Sequence, residues 1–100
     1  MKIVWQVQAE IELDAAIDYY HLQASTAVAT DFRNEVERVI KLLCKHTKLG
    51  AQFGHGARRL ILTGYPLDLI YRETQDSIII VALAHQRRRP GYWAGRRQGV

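Results

Sequence analysis

Residues 78–85 read Ile-Ile-Ile-Val-Ala-Leu-Ala-His, and the first seven form the longest uninterrupted apolar run in the chain. A helix that crosses a bilayer needs about 20 apolar residues, so this run is too short to span a membrane. It is rich in β-branched residues and apolar at both alternating positions, which is typical of a strand buried on both faces. We therefore expect a central strand here, covered on both sides or paired on both edges.

The segments around this run predict the rest of a sheet. Residues 58–62 and 67–73 are rich in β-prone residues and are bounded by turn-forming residues, so each is expected to form a strand. Residues 2–5 alternate polar and β-prone side chains over a length sufficient for a short first strand. Residues 48–57 contain three of the seven glycines and predict a loop.

Two helices are expected between the first strand and this loop. Apolar residues within 9–20 recur at i, i+4, i+7, i+8 and i+11, which places one apolar stripe on a helix. The same spacing recurs within residues 26–47, after the good N-cap residues Ser25 and Thr26. Gly50 is expected to supply the left-handed residue that often follows a helix. The short connection predicts an antiparallel helical hairpin whose apolar faces need a sheet to cover them.

The predicted order is β-α-α-β-β-β, an α+β fold in which the hairpin packs on a mainly antiparallel sheet. A length of 100 residues, with 48% apolar and 24% charged residues, favours one folded domain spanning residues 1–100. The single cysteine, Cys44, excludes an internal disulfide and is expected to be a small buried side chain. No metal site and no cofactor are expected. No secretory signal is evident, so the cytoplasm is the expected compartment.

Charge is distributed unevenly along the chain. Residues 1–37 carry two basic and seven acidic groups, whereas residues 38–100 carry twelve basic and three acidic groups. The last sixteen residues contain five arginines and no acid. This asymmetry indicates an anionic partner that docks on the later part of the fold.

The densest cationic stretch is His-Gln-Arg-Arg-Arg-Pro-Gly-Tyr-Trp at residues 85–93, directly after the predicted central strand. Three successive guanidiniums cannot all be buried at tolerable cost, so at least two should face solvent or a partner. Tyr92 and Trp93 are expected to add flat amphipathic surface, and arginine beside Tyr and Trp is enriched at binding hot spots. The alternative is that Trp93 packs back onto the sheet while the arginines neutralise acids of the helices.

Alternation along the strands places further basic groups. Tyr71 and Arg72 should point to opposite faces, with Tyr71 packed against the helices and Arg72 extending the basic surface. Arg58 and Arg59 should likewise place one guanidinium on each face. His85 lies at the end of the apolar run, where one ring nitrogen could bond to backbone.

Two sequence elements, in this order, resemble a known family. They are Tyr-Pro-Leu-Asp-Leu-Ile-Tyr-Arg at residues 65–72 and Ala-His-Gln-Arg-Arg-Arg-Pro-Gly-Tyr-Trp at residues 84–93. With the strand, the two helices and the glycine-bearing loop before them, they resemble the RelE/ParE superfamily of bacterial toxins, and specifically its ParE-like branch. The resemblance covers nearly the whole chain.

The resemblance implies a toxin of a type II toxin-antitoxin system, held inactive in a hetero-oligomer with a small ParD-like antitoxin. In the ParE-like branch the usual target is DNA gyrase, which is poisoned so that cleaved DNA accumulates; such systems serve plasmid stabilisation. In the RelE-like branch the toxin is a ribonuclease that cuts mRNA in the ribosomal A site. A third alternative is a degenerate toxin that only binds its antitoxin and represses their shared promoter.

The residues bear on the choice between inhibitor and ribonuclease. A metal-free ribonuclease needs a base, an acid and several cations around one phosphate. The residues that could supply them are His85, Arg72, Arg87 and Tyr92. The middle loop, however, offers only Lys48 where a ribosome-engaging nuclease would carry more lysines. We therefore expect a gyrase-binding inhibitor rather than an enzyme, with these target-binding residues: Arg58, Arg59, Arg87, Arg88, Arg89, Tyr92 and Trp93.

Overall fold

The computed structural model describes residues 1–96, and its elements follow the expected order with one added strand. They are β1 (Lys2–Trp5), α1 (Val7–Gln23), α2 (Thr26–Lys45), β2 (Ala51–Gln52), β3 (Arg58–Ile61), β4 (Leu67–Glu73) and β5 (Ser77–His85). No helix among these residues is long and apolar enough to cross a membrane.

All five strands form one sheet in the order β1-β5-β4-β3-β2. β1 pairs with β5 in parallel, and the other neighbours are antiparallel. β5 therefore has a strand on each edge, and every residue from Ser77 to Ala84 is buried. Both expectations for the apolar run, pairing on two edges and cover on two faces, are confirmed.

The helical hairpin covers one face of the sheet. The Ser25 hydroxyl accepts a hydrogen bond from the Val28 amide at 3.1 Å, so the predicted N-cap of α2 is confirmed. The core on this face joins the apolar stripes of both helices to alternate residues of the strands, including Phe32, Leu43 and Tyr71. Tyr71 is fully buried there, as alternation predicted.

A second core lies on the opposite face of the sheet. It contains Ala57, Ile70, Ile79, Val81 and Trp93, among others. No helix within residues 1–96 contributes to it. The cover on this side comes from the loop before β3 and from the residues after β5, and it forms the candidate site.

A β-bulge in β5 changes which residues of this strand face each of the two cores. Ile70 pairs with Ala82 and Tyr71 pairs with Ile80, so Val81 has no partner on β4. β1 ends at Trp5, opposite Ile80. Among residues 1–96, no strand pairs with β5 on the β1 side beyond that point, so the backbone there needs other hydrogen-bond partners.

Several expectations about the middle of the chain are wrong in detail. α2 ends at Lys45, and the predicted loop contains the short strand β2. Gly50 is not in a left-handed conformation. Glycine is required there because an added Cβ would lie 2.8 Å from the Tyr71 ring and 2.9 Å from a backbone carbonyl. Cys44 is exposed rather than buried, because it follows Leu43, which takes the core-facing position.

Candidate target-binding surface

The eleven residues 86–96, called the C-terminal segment below, leave β5 and fold back over the sheet. The Gln86 amide donates to the Pro66 carbonyl at 2.9 Å, and successive turns follow, closed by bonds such as that from Ala94 to Gly91 at 2.8 Å. Gly91 has a φ of 79°, a left-handed conformation that favours glycine. In the sequence, Pro90 and Gly91 end the strand and predict a tail over residues 92–100. Residues 92–96 are instead folded, and residues 97–100 lie outside the described residues.

Arg87, Arg88 and Arg89 are all exposed. The Arg88 guanidinium lies 3.9 Å from the centre of the Tyr92 ring, which is a cation-π contact. The prediction that at least two of these three guanidiniums face solvent is therefore confirmed. The resulting surface presents three neighbouring positive charges.

Trp93 does not belong to this exposed surface. Its side chain is 1% exposed and packs into the second core, on the sheet face opposite the helices. There it stacks on Phe53 with ring centres 6.1 Å apart. The expectation that Trp93 adds exposed contact area is wrong, because the outer face of β4 and β5 is apolar and must be covered. Trp93 anchors the C-terminal segment instead.

The second anchor is a carboxylate of α1 that sequence reasoning missed. Glu12 accepts hydrogen bonds from the Tyr92 hydroxyl at 2.6 Å, from Arg96 at 2.8 and 3.1 Å, and from the Leu83 amide at 3.1 Å. The same Arg96 guanidinium donates to the Val81 carbonyl at 2.9 Å. A signal was present in the sequence: Glu12 follows Ala9 by three residues and so lies beside the apolar stripe of the helix.

The environment of this cluster affects its ionisation. Burial, reinforced by the neighbouring carboxylate, raises the pKa of the Tyr92 phenol well above its usual range. Burial alone would lower the pKa of Arg96, but the hydrogen bonds and charge of Glu12 outweigh it and raise that pKa. Tyr92 thus stays a neutral donor and Arg96 a cation near neutral pH.

Arg72 supports the end of the C-terminal segment from the sheet. It donates to the Arg96 carbonyl at 2.7 Å and to the His55 carbonyl at 3.2 Å, and it lies 5.8 Å from the Trp93 ring. Arg72 lies on the face expected for it, opposite Tyr71. Its guanidinium, however, binds the chain's own carbonyls and is only partly exposed, so it adds less to the basic surface than predicted.

Arg58 and Arg59 lie on opposite faces, as predicted. Arg58 donates to the Gly50 carbonyl at 2.8 Å and holds the loop before β2. Arg59 lies over the Phe53 ring at 4.4 Å and 3.7 Å from the buried carboxylate of Asp68.

Of the two, only Arg59 lies beside the C-terminal segment. It lines a cavity of 450 Å³ together with His85, Arg88 and Arg89.

The four residues considered for a ribonuclease do not converge on one point. His85 and Tyr92 line a common groove, but Arg72 does not line it. The His85 Nδ1 accepts from the Arg87 amide at 3.1 Å, so the predicted backbone bond of this ring is present. The Tyr92 hydroxyl donates to Glu12, which is not one of these four residues.

A second open feature beside the C-terminal segment is the groove shared by His85 and Tyr92. It has a volume of 680 Å³ and an apolar floor between the helices and the turn after β3. Arg88 and Glu12 stand at the end that meets the segment. Among residues 1–96, no three His, Cys, Asp or Glu side chains group as metal ligands would.

One comparison with known proteins identifies a family, and another finds a similar fold. Residues 3–90 match the family model described as the ParE toxin of the type II toxin-antitoxin system parDE. The fold is similar to a solved chain from the chromosomal ParDE TA system of P. aeruginosa, with a TM-score of 0.74 and 24% sequence identity over 85% of this chain and 95% of that chain. A comparison of the sequence with curated proteins gives no match.

Proposed function

Because this chain belongs to the ParE toxin family of type II toxin-antitoxin systems, we propose that it inhibits DNA gyrase by binding through the exposed arginines of its C-terminal segment. The proposed action is stoichiometric: the toxin stabilises the complex of gyrase with cleaved DNA and carries out no reaction of its own. A role in plasmid stabilisation stays a prediction.

The observation that carries this proposal is the presentation of Arg87, Arg88 and Arg89. All three are exposed on a segment held at both ends, by the Pro66 carbonyl at one end and by Glu12 at the other. Because the backbone that carries them is held, these arginines lose less conformational entropy when they bind phosphate or carboxylate, and each guanidinium can donate two parallel hydrogen bonds to either. An anionic partner such as a protein-DNA complex therefore suits this surface.

The same surface supports neutralisation by a ParD-like antitoxin. The solved chain with the similar fold comes from a ParDE system. In this chain the apolar groove ends at Arg88 and His85, so one peptide with an apolar stretch and adjacent acidic residues would fill the groove and cover the arginines together. We expect a tight hetero-oligomer with the product of the neighbouring reading frame. Failure of that product to co-purify with the toxin or to rescue growth would contradict this part.

The test is a charge-matched comparison of two triple variants. Arg87→Ala, Arg88→Ala and Arg89→Ala together should reduce gyrase-dependent accumulation of cleaved DNA by about tenfold or more, because the central charged contacts are lost. The control removes Arg33, Lys41 and Lys45, which are exposed on α2, and should leave cleavage near the wild-type level. Both proteins are first shown to fold by circular dichroism.

Assays of gyrase-dependent DNA cleavage, of mRNA cutting on ribosomes and of antitoxin binding separate the alternatives. Undiminished cleavage by the folded segment variant would overturn the proposed surface. If the wild-type protein cuts mRNA on ribosomes and causes no DNA breaks, the function is that of a ribonuclease instead. If neither activity occurs but the antitoxin binds, the chain is a degenerate toxin that acts only in autoregulation.

A further inference from the structure

We propose that Glu12 is a positioning residue that holds the C-terminal segment, and with it the three exposed arginines, in the conformation that binds the target. This inference rests on the proposed function of the segment, but its structural part can be tested without any target. Glu12 lies on α1, far in sequence from the residues it would position. It need not touch the target itself.

The first argument is the number of donors that converge on one carboxylate. Tyr92, Arg96 and the Leu83 amide supply four hydrogen bonds of 2.6 to 3.1 Å to its two oxygens. The ion pair is largely shielded, with side-chain exposures of 15% for Arg96 and 16% for Glu12. By contrast, Glu10 and Asp14 on the same helix are exposed. Shielded, charge-assisted bonds of this kind are stronger than surface ion pairs.

The second argument is where these bonds act. Beyond Ile80 the β1 side of β5 lacks a strand neighbour among the described residues, and the bulge at Val81 interrupts the ladder to β4. On this stretch Glu12 binds the Leu83 amide and Arg96 binds the Val81 carbonyl. The Glu12-Arg96 pair thus takes the place of missing strand partners and ties α1, β5 and the segment together at one point.

The third argument connects this point to the arginines. The Tyr92 ring, fixed through its hydroxyl by Glu12, carries the Arg88 guanidinium on its face at 3.9 Å and lies 5.2 Å from that of Arg96. The segment is covalently joined to β5 at its other end. If Glu12 lets go, the described contacts that still hold the segment beyond residues 87–89 are the buried Trp93 ring and the bond from Arg72 to the Arg96 carbonyl, and the arrangement of the three charges loosens.

The experiment compares Glu12→Gln with Glu10→Gln, which removes the same charge from an exposed position of the same helix. Trypsin cleaves after arginine unless proline follows, so its sites within residues 87–89 are the bonds after Arg87 and Arg88. The rate of cleavage there follows the population of the opened segment. We expect Glu12→Gln to accelerate this cleavage about tenfold or more, because a shielded ion pair has lost one partner. Glu10→Gln should cleave at the wild-type rate. Equal rates for the two variants would overturn the proposal.

Trp93 provides a spectroscopic signature that does not depend on proteolysis. In a Trp5→Phe background, Trp93 is the remaining tryptophan, and its buried ring should emit at longer wavelength when the segment opens. We expect this red shift in Glu12→Gln while the helical circular dichroism is unchanged. A variant that loses the helical signal as well would indicate a role in the whole fold and contradict the proposal. Tyr92→Phe, which removes only one of the bonds, should produce a smaller shift in the same direction.

A double variant tests whether Glu12 acts through Arg96. Glu12→Gln leaves the guanidinium shielded and unpaired, so adding Arg96→Gln should accelerate cleavage little further; fully additive effects would contradict the pairing. Binding to gyrase should weaken in Glu12→Gln and stay unchanged in Glu10→Gln. If the wild-type chain does not bind gyrase, the proposed function fails while the cleavage and fluorescence results still decide the role of Glu12. Full gyrase binding by a Glu12→Gln protein with an opened segment would overturn it.

Discussion

The two faces of the sheet are covered in different ways. On one face, two helices of 17 and 20 residues bury a continuous core around Phe32. On the other, the cover includes a segment without regular structure, fixed mainly by one indole and one carboxylate. A regular layer with many apolar contacts opens only on global unfolding, whereas a segment held at few points can open locally. The proposed function lies on the less cooperative cover.

The family comparison divides the C-terminal segment as well. The match to the family model ends at residue 90 and so includes Arg87, Arg88 and Arg89. Tyr92, Trp93 and the Arg96 that pairs with Glu12 lie beyond it. The proposed contact residues are therefore within the matched range, while three side chains that hold them in place are outside it. Variants after residue 90 are thus as informative about the proposed surface as variants of the arginines themselves.

The largest expected loss of stability comes from replacing one buried aromatic side chain on each face of the sheet by alanine. Phe32→Ala should lower the free energy of unfolding by about 3–5 kcal/mol, because it leaves a cavity in the core between the helices and the sheet. Trp93→Ala removes an equally buried and larger side chain but should cost less, about 2 kcal/mol, since the segment can detach while the helix-covered layer stays folded. Urea denaturation followed by circular dichroism measures both losses.

Amide exchange then shows where each loss occurs. Phe32→Ala should accelerate exchange across the whole sheet, whereas Trp93→Ala should accelerate it mainly in residues 86–96. Equal losses in unfolding free energy, with the same exchange pattern in both variants, would show that the two covers form one cooperative unit and would break the comparison.

The helix-covered face was largely predictable from the sequence, and the other face only in part. Apolar spacing fixes helices because a helix repeats every 3.6 residues, and alternation fixed the partition of Tyr71 and Arg72. The burial of Trp93 depends on an irregular segment folding back, which no periodicity encodes. The two-sided apolar character of residues 78–84 did require a second cover, and Trp93 is the first tryptophan or phenylalanine that follows this run in the sequence.

The bond from Arg96 to Glu12 joins residues 84 positions apart, so local spacing could not indicate it. The bulge at Val81, which shifts the facing of the strand, carries no glycine or proline that would mark it. The sequence correctly predicted that at least two of the three successive arginines stay outside, because that follows from desolvation cost alone and needs no knowledge of the fold.

A medium effect tests whether the helix-covered side also depends on polar contacts. The buried Tyr71 hydroxyl donates to the Thr47 carbonyl at 2.8 Å and accepts from the Gly50 amide at 2.9 Å. Tyr71→Phe leaves both groups unpaired and should cost about 1–3 kcal/mol of unfolding free energy. Tyr19→Phe, at an exposed position, is the control.

This loss should appear in global unfolding and leave trypsin cleavage at residues 87–89 unchanged, because Tyr71 holds the loop on the helix side. Faster cleavage of the C-terminal segment in Tyr71→Phe would mean that the two faces are coupled through β4, and the contrast between them would have to be withdrawn.

The smallest expected effect is a pH-dependent loss of stability on the helix-covered face. Glu35 of α2 accepts from Arg38 and from the Thr63 amide, both at 2.8 Å, and these bonds hold the pKa of its carboxyl below the ordinary value despite partial burial. A carboxyl with a lowered folded-state pKa stabilises the fold above its unfolded pKa, about 4.3, and loses this contribution as pH falls through the folded value. Glu35→Gln should therefore be slightly less stable than wild type at pH 7, by less than about 1 kcal/mol, because the pair is near the surface.

Below about pH 4 the difference between the two proteins should shrink, since protonation removes the same charge from the wild type. Urea midpoints measured from pH 7 to pH 3 give this difference directly, with Glu37→Gln as the exposed control on the same helix. Glu35 joins α2 to the turn after β3 and has no contact with the C-terminal segment in the described residues, so trypsin cleavage at residues 87–89 should be the same in both proteins at pH 7. A difference in unfolding free energy between wild type and Glu35→Gln that grows toward pH 3 would contradict the prediction, because a carboxyl with a lowered pKa loses its stabilising effect in acid. The acid-sensitive contact would then involve another residue.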